Sequence, residues 1–205
     1  MVGSITADIT NTNNANGESA LGDVIADAQR EYTLGSGAQF AFMNPGGIRA
    51  SLIHAASVGG EAPGQVTFGE AFAVQPFNNL VSTQDMTGQQ LKDTLEQSFI
   101  GCFGRTQDTV ILQVSAEFNY SYDTTQPCGS RITSMTVNDV DLDMAATYRF
   151  TLNNFLADGG DSFPGFRAGI NRVNQTGFDV DALAQYLGAH SPVAPGPQDR
   201  ITKEG

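Results

Sequence analysis

The chain has 205 residues, 40% of them hydrophobic, with 23 glycines and 8 prolines, which is enough for a full apolar core and rich in turns. Its net charge of −12, with Lys92 and Lys203 the only lysines, opposes a polyanionic partner and argues against binding of DNA or RNA. No apolar run approaches the roughly 18 residues of a membrane span, and neither His54 nor His190 sits in a metal-ligand spacing.

In chain order, Met1-Val2-Gly3-Ser4 has neither the basic nor the apolar region of a signal peptide, and a strand-like run, Ser4 to Thr10, begins at once. Either the protein is cytosolic or the sequence starts downstream of a secretion signal, and the abrupt strand-like start favours the second. Asn11 to Gly17 is polar and turn-forming. Leu21, Ile25 and Ala28 recur at helical spacing and predict an amphipathic helix over Glu18 to Tyr32. A short buried strand, Gln39 to Met43, leads into Asn44-Pro45-Gly46-Gly47-Ile48-Arg49. Ser57 to Gly64 reads as an exposed loop before a strand at 65–67. Thr67 and Glu70 form a capping-box pattern for a short helix.

A strand is predicted over Asn79 to Asp85, then a helix from Thr87 to Phe99 with Leu91, Leu95 and Phe99 inward. Strands follow at 109–114, 116–122 and 131–137, with a hairpin-like turn over Val137 to Leu142. Tyr148 to Leu152 is a strand that delivers Asn153-Asn154-Phe155-Leu156-Ala157-Asp158-Gly159-Gly160-Asp161-Ser162-Phe163. The last helix spans Asp179 to Leu187, with Val180, Leu183, Ala184 and Leu187 inward, and an extended tail runs from Pro192 to Pro197. There is no internal repeat and no long linker, so the chain reads as one α+β domain with a mixed sheet core and flanking helices.

The two glycine stretches carry the chemistry. Gly46-Gly47 lets the backbone turn and approach a ligand closely, between the amide of Asn44 and the guanidinium of Arg49. In the second stretch the aromatic Phe155 precedes Gly159-Gly160, and the carboxylate of Asp161 follows. An aromatic face, an amide, a cation and a carboxylate suit a base, a phosphate and ribose hydroxyls.

These motifs, with Gln75-Pro76-Phe77-Asn78-Asn79-Leu80 between them and the opening helix Glu18 to Ala28, resemble the C-terminal, substrate-binding domain of the 5′-nucleotidase family, including its UDP-sugar hydrolase and 2′,3′-cyclic phosphodiesterase members. The resemblance runs from about residue 5 to Ile201. It implies that Phe77 and Phe155 stack on a nucleobase, that Asp161 accepts from both ribose hydroxyls, that Asn44 meets the base and that Arg49 meets phosphate. It also places Asn154 and Gly160 in the binding loop, and Phe163 beneath it. A second phosphate-binding arginine of the family, just before the first helix, has no counterpart here, because no basic residue precedes Arg30.

The resemblance further implies an extracellular, periplasmic or cell-surface setting. The even pair Cys102 and Cys128, both in turn-like surroundings, then reads as a disulfide, with two unrelated thiols as the alternative. In the family, hydrolysis belongs to a dimetal site in an N-terminal metallophosphatase domain. Its Asp-x-His and Gly-Asn-His motifs do not occur in this sequence. The chain is thus expected to bind a nucleoside or nucleotide, with no cofactor of its own, and to partner that metallophosphatase domain in the same parent chain. The alternative is a structural or adhesive module that has lost nucleotide binding.

Overall fold

The computed structural model describes residues 1–55 and 59–205. Its elements are β1 (Gly3–Ser4), α1 (Ala20–Tyr32), β2 (Phe40–Met43), β3 (Gln65–Val66), α2 (Phe68–Val74), β4 (Leu80–Thr87), α3 (Gly88–Leu95), β5 (Gln113–Val114), β6 (Phe118–Tyr122), β7 (Ile132–Val137), β8 (Val140–Asp141), β9 (Thr147–Asn153), α4 (Asn154–Ala157), β10 (Ile170–Phe178), α5 (Asp179–His190) and β11 (Ile201–Lys203). The fold is α+β. A five-stranded sheet has the order β10-β4-β9-β2-β5, a four-stranded sheet the order β11-β6-β7-β8, and β1 pairs with β3.

The alternation of side chains along β2 explains how the central sheet is covered on both faces. Phe40 and Phe42 enter an aromatic core with Phe118, Phe150 and Phe166, in which the Phe40 and Phe150 rings stack 5.7 Å apart. Ala41 and Met43 point the other way, into a second core built from α1, α2 and α5 through Leu21, Ile25, Ala71, Leu183 and Leu187. Ser19 caps α1 by accepting from the Gly22 amide at 3.1 Å. Thr67 and Thr87 cap α2 and α3, each in a reciprocal box with the residue three positions on.

Several expectations are corrected. The run Ser4 to Thr10 is a strand only at its first residue; beyond that, Ile5 and Ile9 make single bridges to Val193 and Leu52. Glu18 precedes α1 and is fully buried, its carboxylate accepting from the Arg200 and Ile201 amides. Only Gln113–Val114 of the 109–114 run is a strand. Ala184 is half-buried, and Ala182 takes its place in the core. The loop expected at Ser57 to Gly64 lies partly outside the described residues. The nine-residue strand β10 was not anticipated. The hairpin at Asn138-Asp139 is present, both residues having positive φ (51° and 62°), as is the Cys102–Cys128 disulfide, with its Cα atoms 5.5 Å apart.

Sheet topology places three loops together. β2 and β9 are parallel neighbours, so Met43 and Asn153 leave the sheet at the same edge, and each leads directly into a glycine stretch. β4 runs antiparallel to β9 with Val81 opposite Asn153, so its approach segment, Phe77 to Asn79, arrives at that edge too.

Candidate functional site

A cavity of about 370 Å³ opens where these loops meet, lined by Asn44, Gly46 and Gly47 from the first, Phe77 and Asn79 from the second, and Phe155 and Asp161 from the third. Phe77 is 54% exposed and Phe155 45%. Two large rings left open to solvent on a concave site have the shape and polarity to suit a flat apolar ligand.

A hydrogen-bond relay fixes the polar wall. The Leu156 amide donates to Asn153 Oδ1 at 2.8 Å, Asn153 Nδ2 donates to Asn44 Oδ1 at 2.8 Å, and Asn44 Nδ2 donates to Asp161 Oδ2 at 2.6 Å. Asn44 and Asn153 are both buried, so their amides are oriented before any ligand arrives. The relay leaves one N–H of Asn44 and Oδ1 of Asp161 without a partner among the described residues, and a carboxylate has about four acceptor positions. A donor pair such as a vicinal diol matches that remaining capacity.

The glycines are needed for closeness. A Cβ on Gly160 would lie 2.4 Å from Phe155 Cε1, and one on Gly46 would lie 2.9 Å from Asp161 Oδ2. Gly159, at φ 83°, makes the turn that brings Asp161 round. Phe163 is fully buried beneath the loop, as expected.

Arg49 lies at the rim and does not line the cavity. Its Nη1 donates to the Gly46 carbonyl at 3.4 Å, its guanidinium sits 6.0 Å from the centre of the Phe77 ring, and its amide is tied to the Val74 carbonyl at 2.8 Å. The segment before α1 approaches the same rim: Asn11 donates to the Ile48 carbonyl at 3.2 Å and bonds with Ser51. Asn154 is turned to support, its Oδ1 accepting from the Leu80 amide at 2.7 Å and so fixing the second loop to the third. Asp158 pairs with Arg172 at 2.6 Å.

Three contributors are not apparent from the sequence. Asn153 orients Asn44. Asn79 lines the cavity and donates to Asp179 Oδ2 at 3.1 Å. Burial pushes the Asp179 carboxyl up to about 6, against the lowering effect of that hydrogen bond. Arg105 donates to the backbone of Asp161. Among the described residues no group of His, Cys, Asp and Glu side chains is arranged to hold a metal ion, and no helix is long and apolar enough to cross a membrane.

Comparison with known proteins bears on this geometry. The family described as 5′-nucleotidase, C-terminal domain, matches residues 1–168. A cell wall protein of Listeria monocytogenes, Lmo0130, is 33% identical over 83% of this chain, which covers 21% of that protein. A 5′-nucleotidase of Vibrio parahaemolyticus is 33% identical over 84% of this chain, which covers 27% of it. The crystal structure of a 5′-nucleotidase precursor from Thermus thermophilus superposes with a TM-score of 0.82 and 31% identity, over 98% of this chain and 39% of that one. The chain therefore spans about a quarter of the length of the curated relatives it matches.

Proposed function

Because the chain belongs to the 5′-nucleotidase C-terminal domain family, we propose that it is the substrate-binding domain of an exported nucleotide phosphoester hydrolase. The base enters between Phe77 and Phe155, the ribose diol donates to Asp161, and Arg49 at the rim faces the 5′-phosphate. The observation that carries this reading is the cavity itself: exposed rings from two loops, with a relay-oriented Asn44 and Asp161 as its polar wall. Divalent metal ions, which would activate water and stabilise the departing phosphate oxygens, would belong to a metallophosphatase domain of the same parent chain. The contribution of this domain is to hold base and ribose so that the ester is presented in a fixed orientation.

With one cation and an open site, adenosine or AMP should bind with a dissociation constant on the order of 0.1–10 mM, roughly −3 to −5 kcal/mol. Chemical-shift titration should give saturable changes at Phe77, Phe155 and Asp161; no change at tens of millimolar would overturn the proposal. A second reading, a structural or adhesive module, is favoured by one feature. The segment before α1 that approaches the Arg49 rim presents Asn11 and no arginine. That reading expects the null titration.

A further inference from the structure

The loop that presents Asp161 has strained backbone. Asp161 (φ 50°) and Ser162 (φ 61°) are successive L-residues in the left-handed region, directly after Gly159 and Gly160. Such backbone persists where its surroundings over-determine it. The carbonyls of these two residues accept from a single guanidinium: Arg105 Nη2 lies 2.6 Å from the Asp161 oxygen and 3.4 Å from that of Ser162. The same group donates through Nε to Gln97 O at 2.6 Å and through Nη1 to Asp108 O at 3.4 Å, and lies 4.7 Å over the ring of Phe163. Arg105 is 5% exposed, so it is a buried fork bonded to four main-chain oxygens.

Arg105 is itself held in place. Its amide donates to the Cys102 carbonyl at 2.9 Å, its carbonyl accepts from the Gly101 amide at 2.9 Å, and Cys102 is covalently joined to Cys128. A continuous support thus runs from the disulfide through the Gly101 to Arg105 turn to the backbone of Asp161. Lysine could not replace this fork, because an ammonium cannot span several carbonyls in one plane.

We propose that Arg105 is a positioning residue for Asp161: it holds the carboxylate where a ribose diol meets it, so that selectivity for the 2′- and 3′-hydroxyls depends on a residue outside the cavity. This rests on the nucleoside reading above. The test compares adenosine with 2′,3′-dideoxyadenosine by chemical-shift titration, in the wild type and in Arg105→Ala, Arg105→Lys, Asp161→Ala and the Arg105→Ala/Asp161→Ala double variant. Backbone order parameters at Asp161 and Ser162 are measured without ligand.

In the wild type adenosine should bind more tightly than the dideoxy analogue. Arg105→Ala should reduce that preference on the order of tenfold, leave dideoxyadenosine affinity unchanged, and lower the order of the Asp161 and Ser162 amides. Asp161→Ala should add little to it. Arg105→Lys, which retains the charge and the aliphatic stem, should show the same loss of preference and serves if the alanine variant fails to fold. A wild-type preference that survives in both Arg105 variants, with the loop still ordered, overturns the inference and leaves the site reading standing. A wild type that does not prefer adenosine overturns the ribose role of Asp161 and the inference with it.

Discussion

Gly160→Ala isolates the stacking ring without touching it. A Cβ there would stand 2.4, 2.5 and 2.6 Å from Cε1, Cδ1 and Cζ of Phe155, against an optimal carbon–carbon separation of roughly 3.5–4 Å. Gly160 is not among the glycines of positive φ, so the backbone accepts alanine. The obstructed atoms are the end of a side chain that is 45% exposed, and the ring can swing outward by about 1 Å or more. Folding stability should therefore change by no more than about 0.5 kcal/mol, as for other surface substitutions. Binding should lose most of one base–aromatic stack, about 1–3 kcal/mol, raising the adenosine dissociation constant roughly 5- to 150-fold. A chemical-shift titration beside a thermal melt separates the two effects. An unchanged dissociation constant in a folded variant would show that the Phe155 ring is not a stacking plate. A fall in Tm of about 8 °C or more would show that Gly160 serves the fold.

Arg49→Ala should weaken AMP on the order of tenfold and adenosine little; equal losses in the same titration would mean that Arg49 supports the fold and does not meet phosphate. Replacing Cys102 and Cys128 by serine should lower the unfolding free energy by about 3.5 kcal/mol in the loop-entropy model, the cysteines being 26 residues apart; an unchanged denaturation midpoint would refute this. Burial, with help from Glu18 and Asp27 and against the pull of Arg200, pushes the Asp23 carboxyl from 3.8 up to about 8. The folded chain thus keeps a proton that the unfolded chain releases above 3.8, so this group's stabilisation is complete at low pH and is lost as pH rises to about 8. Asp23→Asn should flatten the fall of denaturation midpoint between about pH 5 and pH 8, and an unaltered slope would contradict the assignment. The purified chain should release no phosphate from AMP with added Mn, Zn, Co or Mg; metal-dependent turnover would refute the assignment of hydrolysis to a separate domain.

What was legible in the sequence was local. Thr67 with Glu70, the Leu21, Ile25 and Ala28 stripe, and the Asn138-Asp139 turn each state their structure within a few residues, and all are present. The stacking roles of Phe77 and Phe155 came from the family resemblance, and both rings line the cavity. β10 was hidden because Ile170–Phe178 has no apolar alternation. It is an edge strand held by backbone pairing to β4, with polar links such as Ser82 to Asn174. Arg105 was hidden for a different reason: its partners are main-chain oxygens, which any sequence supplies, and those of Asp161 and Ser162 lie 56 and 57 residues away. Asn153 looked like a strand end, and its role emerges only once β9 lies beside β2. Ser4 to Thr10 alternates like a strand, yet beyond Ser4 it meets different partners at Ile5 and Ile9 and builds no ladder.

The most direct measurement is the set of intermolecular nuclear Overhauser contacts between adenosine and the aromatic protons of Phe77 and Phe155, which are exposed on the same cavity. The expected result is contacts from the adenine H2 and H8 protons to both rings, with the ribose protons close to Asp161. Contacts to one ring alone, or binding that perturbs another surface, would contradict the account.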